Sequence, residues 1–115
     1  MEEKVVDLED VLERVQDDRE LLLELFEIFE SDYIEKRKTL DQLIKNNQYE
    51  HIRDIAHSMK GAAGNISAKA LFSSCAKIEK IAGENNLTDI QVILPILDQQ
   101  FVQLQAYIAD YKKKF

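Results

Sequence analysis

Of the two histidines in the chain, His57 has the neighbours that chemistry would need. Lys60 follows it by three residues and Arg53 precedes it by four, so on a helix both cations flank the imidazole. A neutral imidazole presents an unprotonated nitrogen able to attack phosphorus, and imidazoles as a class titrate near about 6.5, so that form dominates at cellular pH. A phosphoryl group placed on the ring would meet two side chains able to form charge-assisted hydrogen bonds. Such a pair of cations is unusual in a chain with 15 Lys and Arg against 22 Asp and Glu, a net charge of -7. Gly61 and Gly64 fall on the same face, where each glycine weakens a helix by about 1 kcal/mol relative to alanine and so calls for another reason. Missing side chains would let a second protein approach the imidazole; close helix packing against either glycine is the competing reason, and a surface histidine without a role is the plain alternative for His57.

The element that positions these residues is an amphipathic helix. At about 100° per residue, Ile52, Ile55, Ala56, Met59, Ala62, Ala63 and Ile66 form one apolar sector that must face a core. His57 lies opposite, together with Glu50, Arg53, Asp54, Lys60, Gly61 and Gly64, and is expected to be open to solvent. Helical spacing recurs almost throughout, and no stretch alternates long enough to compete as a strand. The fold class expected is all-α: an antiparallel four-helix bundle with a short extra N-terminal helix, formed by residues 1–115 as a single domain.

The short helix covers Leu8 to Val15. Asp17 with Glu20 reads as the cap of a long second helix ending at Asn46 and Asn47. Asn47 with Glu50 repeats that signature for the third, which runs to about Asn65, and Ser67 reads as the cap of the fourth. Gly83 can supply a left-handed stop after it. Thr88 with Gln91 marks a fifth start, and Pro95 inside that stripe predicts either a kink or a helix beginning near the proline.

The residues from His57 to Ala68, His-Ser-Met-Lys-Gly-Ala-Ala-Gly-Asn-Ile-Ser-Ala, resemble the phosphorylation motif of histidine phosphotransfer (HPt) domains of multistep phosphorelays, His-x-Leu-Lys-Gly followed by Gly-Ala six and seven residues beyond that glycine. The likeness continues through Leu71, Cys75 and Ile78-Glu79, and earlier through Leu8 to Leu12 and Leu21 to Phe29. Met59 stands where the family usually has leucine and Ser67 where it usually has glycine; the latter implies a side-chain cap in place of a positive-φ glycine at the joint between the third and fourth helices. The resemblance implies that His57 accepts a phosphoryl group at Nε2 from a receiver-domain phospho-aspartate and passes it to another receiver. It also implies that this chain binds no cofactor, that magnesium and most catalytic groups belong to the receiver, and that the protein is a carrier without independent catalytic machinery. Lys60 is then the candidate for stabilising the transferred group, Gly61 and Gly64 for access, Arg53 for affinity, and Glu79 for orienting the imidazole. The partners implied are response-regulator receiver domains, with a hybrid sensor histidine kinase as a further candidate, and the family usually acts as a monomer.

Other classes fit less well. The acidic balance disfavours nucleic-acid binding, which needs clustered cations. Lys112, Lys113 and Lys114 form the only basic run and read as a solvated helix end. The longest apolar run, Val92 to Leu97, contains Pro95 and falls far short of the roughly 20 residues that cross a membrane. A lone Cys75 and an acidic start without a signal-like stretch point to the cytoplasm, and Met1 with a complete bundle favours a free-standing protein. Asp54 and His57 have the spacing of a carboxylate–histidine metal pair, but no second pair exists on another helix, so no metal site is expected. Cys75 falls on a core stripe, which disfavours a thiol hydrolase. The serious rival is a docking module that occupies a receiver without turning over His57.

Overall fold

The computed structural model describes residues 5–115. Five helices follow one another: α1 (Leu8–Arg14), α2 (Arg19–Lys45), α3 (Tyr49–Asn65), α4 (Lys69–Gly83) and α5 (Leu87–Lys112). The last four close a ring in which α2 packs on α3, α3 on α4, α4 on α5 and α5 back on α2. The fold is all-α, as the periodicity requires. The expected domain also includes residues 1–4, Met1 among them, which lie outside the described residues. The core is built from one apolar stripe on each of these helices: Leu22, Phe26 and Leu40 from α2, Ile52 and Met59 from α3, Ile78 from α4, and Ile90, Leu97 and Leu104 from α5 are essentially inaccessible. Phe26 meets Tyr107 and Tyr111 edge to face, and Tyr33 stacks on Phe101 at a centroid distance of 4.1 Å, joining α2 to α5.

All four connections use one device. Gln16, Asn47, Ser67 and Asn85 each have φ between 54 and 56° directly after a helix. In every case the following amide reaches back over five residues, Asp17 to Leu12, Gln48 to Leu43, Ala68 to Ala63 and Asn86 to Ile81, at 2.8 to 3.3 Å. These are Schellman closures built without glycine. The helix that follows starts two or three residues later, so each connection is short enough to turn the chain back on itself.

This arrangement corrects every cap read from the sequence. Asp18, not Asp17, caps α2 by accepting from Leu21 N–H, while Asp17 is itself left-handed at φ 62°. Asn47 ends α2 and does not cap α3, whose N-cap is Gln48 without a side-chain bond. Gly83 is the last residue of α4, and the left-handed stop is Asn85. Asn86, not Thr88, caps α5 by accepting from Asp89 N–H, and that helix runs unbroken through Pro95.

Ser67 is the most instructive correction. It does not cap α4, whose N-cap is Ala68, but takes the positive φ of the glycine it replaces, and it is 2% exposed. A left-handed conformation costs a residue with a Cβ about 1–2 kcal/mol. The Ser67 hydroxyl offsets this by donating to Asp10 Oδ2 at 2.6 Å, and its carbonyl accepts from Asp7 N–H at 3.0 Å. Arg14 bonds Asp10 and the Gly64 carbonyl, so α1 is tied onto the α3–α4 joint. Ser67→Val, which loses the hydroxyl and forces a β-branched residue into positive φ, is expected to lower stability by about 2–3 kcal/mol in urea denaturation. An unchanged midpoint would refute this account of the joint.

Candidate functional site

His57 stands in the middle of α3, and the α3–α4 turn decides what it faces. His57 and Glu79 are equidistant from Ala68, so the antiparallel pairing brings them level. Glu79 Oε1 lies 3.0 Å from His57 Nδ1, and Lys60 Nζ lies 2.8 Å from Glu79 Oε2. One carboxylate thus bridges the imidazole and the lysine. The His57 side chain is 69% exposed, against 22% for Glu79 and 25% for Lys60.

Glu79 is held in its ionised form. The hydrogen-bonded Lys60 ammonium pulls its carboxyl below the ordinary value, desolvation pushes it up, and the bond to His57 adds a further downward pull. A carboxyl with a depressed folded-state value contributes stability that is present above its unfolded value and is lost as pH falls through the folded one. An ionised carboxylate can only accept, so the proton of the His57–Glu79 bond sits on Nδ1. Nε2 then carries the lone pair on the solvent side of the ring, the tautomer that a nucleophile needs.

The remaining predicted residues separate. A Cβ placed on Gly61 would meet nothing within 4 Å, so the space beside His57 is open there. Gly64 is half-buried; a Cβ on it would lie 3.4 Å from the Phe72 ring, an ordinary contact, and its carbonyl is taken by Arg14. Of the two glycines, only Gly61 therefore leaves open space beside the imidazole. Arg53 is exposed and forms no ion pair or hydrogen bond among the described residues, and Asp54 and His51 are exposed as well. Among the described residues no three His, Cys, Asp or Glu side chains converge as a metal would require. Cys75 is buried, and burial pushes its thiol up to about 12, which suits packing and not nucleophilic chemistry. No helix among the described residues is long and apolar enough to cross a membrane.

Sequence reasoning could not find the apolar surface beside the site. Leu25, Ile28 and Phe29 of α2 and Ala62 and Asn65 of α3 line a shallow hollow rimmed by Asp32, and Ile28 is 64% exposed. On α2 Leu25 has the periodic signal of a core residue, and only the packing of α3 shows that it lines this hollow beside the exposed Ile28.

The Hpt domain family model matches residues 24–111. No curated protein matches. Among solved structures, the fold is similar to the crystal structure of histidine-containing phosphotransfer protein B (HptB) from Pseudomonas aeruginosa PAO1, with a TM-score of 0.89, 20% identity and 99% of each chain covered. At that identity the likeness is one of fold.

Proposed function

Since this chain belongs to the Hpt domain family, it is a histidine phosphotransfer protein of phosphorelay signalling, and we propose that His57 is the residue on which the phosphoryl group travels. The observation that carries this reading is the Nδ1–Glu79 bond at 3.0 Å beneath a ring that is 69% exposed. In the transfer, the Nε2 lone pair attacks phosphorus, the bond from phosphorus to the aspartyl oxygen of the receiver breaks, and the aspartate leaves as a carboxylate. Nδ1 keeps its proton throughout, so the phosphorylated ring is positively charged and faces the Glu79 carboxylate. Return of the group to a second receiver runs the same step backwards.

Little else is asked of this chain. Orientation and charge stabilisation do most of the work in phosphoryl transfer, and the magnesium that neutralises the transferring oxygens is assigned to the receiver. The protein is then a carrier without independent catalytic machinery. Lys60 acts first through Glu79, and the same ammonium is within one turn of the ring that receives the phosphoryl group. The receiver is assigned to the face of His57 and Gly61, with the hollow around Ile28 as the apolar patch and Asp32 and Asn65 at its rim. Arg53 is left to tune affinity.

The test is chemical localisation. After incubation with phosphorylated receiver domains and magnesium, an acid-labile, base-stable phosphate is expected on the peptide containing His57, with the phosphorus resonance of an Nε2 adduct. Phosphate on any other residue would mean that His57 is not the acceptor, and none from any receiver of the host would favour the docking module instead.

A second expectation concerns Lys60→Met. Loss of the ammonium should move the Glu79 carboxyl titration upward, as followed by carbon NMR, because the main downward pull is gone. It should also slow transfer by about 10–100-fold, the equivalent of one charged hydrogen bond of about 1.5–3 kcal/mol. A slower transfer with an unmoved Glu79 titration would assign Lys60 to the phosphoryl group alone.

A further inference from the structure

We propose that the negative charge of Glu79, beyond its bond to Nδ1, keeps phosphorylated His57 able to give up its phosphoryl group across neutral and mildly alkaline pH. This role presupposes that His57 is the acceptor. To fix the ring and its tautomer, any hydrogen-bond acceptor beside Nδ1 would serve, a glutamine amide oxygen included. The site holds a carboxylate instead, with Oε1 3.0 Å from Nδ1 and with Lys60 Nζ 2.8 Å from Oε2, and that lysine keeps it ionised.

What a full charge adds appears only once the ring is phosphorylated. Attack through Nε2 by a ring that keeps its Nδ1 proton leaves an imidazolium. Its P–N bond breaks with the electron pair returning to Nε2, and a neutral imidazole departs as the new P–O bond forms on the receiver aspartate. Without the Nδ1 proton the same cleavage must expel an imidazolide anion, a far poorer leaving group, and the phosphoryl group is trapped on the ring. Imidazoles as a class titrate close to neutral pH, so retention of that proton is decided in the range where cells work. A carboxylate in contact with a cation favours the charged form by about one to three pH units, which an uncharged amide oxygen does not match. No other group about the ring supplies this. On α3, Lys60 and Arg53 disfavour a further cation, and Asp54, one turn before His57, offsets Arg53. On α4, Glu79 is the charged side chain in contact with the ring, and Lys80 projects about 100° away from it. On α2, Asp32 at the hollow shared with α3 is paired with Lys36 at 2.8 Å.

The experiment compares the full chain with Glu79→Gln after phosphorylation by phosphoramidate, a small donor that needs no receiver. Nitrogen-15 NMR of the phosphorylated ring should show Nδ1 losing its proton in Glu79→Gln at least about one pH unit below the wild type. Discharge to an excess of one receiver with magnesium, followed from about pH 6 to pH 9, should track that titration. Above its midpoint the variant should slow towards about tenfold per pH unit relative to the wild type, and the pH dependence of the receiver itself cancels in that ratio. Lys60→Met, which keeps the carboxylate, should hold the Nδ1 proton at least as well as the wild type, and unchanged helical circular dichroism should show that both variants fold. Coincident Nδ1 titrations in wild type and Glu79→Gln, a discharge ratio that stays constant with pH, or a Lys60→Met protein that loses the proton as early as Glu79→Gln would each overturn the role of the charge while leaving His57 as the acceptor. Phosphoramidate that places no phosphate on His57 would overturn the acceptor assignment and this role with it.

Discussion

His57→Gln is expected to abolish phosphoryl transfer to this chain while leaving the bundle and its affinity for receivers almost unchanged. An amide nitrogen has no available lone pair for phosphorus, and no nearby group can substitute: Lys60 is held by Glu79, and His51 lies six residues away on the same helix. Removal of the single nucleophile should therefore reduce the phosphorylated fraction by at least about a thousandfold, to the limit of detection. The side chain is 69% exposed, and surface changes of this kind alter stability by less than about 0.5 kcal/mol. The checks are radiolabel transfer from a phosphorylated receiver, a urea melt, and a titration of the same receiver against both proteins. Transfer to both would mean that another residue is the acceptor. Loss of receiver binding together with transfer would make the imidazole a docking contact as well as a nucleophile.

The second large effect is expected at Gly61, and there function and stability should move in opposite directions. Nothing lies within 4 Å of a Cβ at this position, so Gly61→Gln meets no obstacle in the bundle and gains helix propensity, about 0.5–1 kcal/mol of added stability. The same side chain would stand one turn from the ring, in the path along which a receiver must bring its aspartate. Transfer should fall by about a hundredfold, since misplacing reacting groups by an ångström is enough for a loss of that size. Gly61→Ala, with only a methyl group added, should fall much less. A Gly61→Gln protein that transfers at the wild-type rate would show that no partner approaches on that side. Gly64 offers the contrast: its added Cβ touches Phe72 at an ordinary distance, and its carbonyl already belongs to Arg14. Function is expected to respond to the first glycine and far less to the second.

The errors at Asn47 and Ser67 share one cause. Asn47 and Ser67 have the short polar side chains favoured at helix N-caps, and that is how they read. Asparagine is also tolerated, as glycine is, in the left-handed position that ends a helix, and when two helices abut both positions fall within two residues. Ser67 adds a tertiary reason: a serine holds a glycine's conformation because Asp10, far away in sequence, accepts its hydroxyl proton. Nothing local announces that bond. Gly83 reads as the stop after α4, yet the helix contains it and Asn85 makes the turn.

By itself the sequence determined the helices, their buried stripes and the exposed position of His57 beside Lys60, because these depend on a repeat of 3.6 residues and on neighbours within one turn. It also carried the His-x-x-Lys-Gly pattern, which lies within the residues that the family model matches. What only the tertiary structure decided is the company the imidazole keeps. Glu79 is 22 residues from His57, and whether it reaches Nδ1 depends on how many residues the turn consumes and on the register of α3 against α4. A slip of one residue would rotate Glu79 by about 100° away from the ring. That register is set by the Schellman closure at Ser67 and by α1 bound over it, long-range contacts that no periodicity in the chain records.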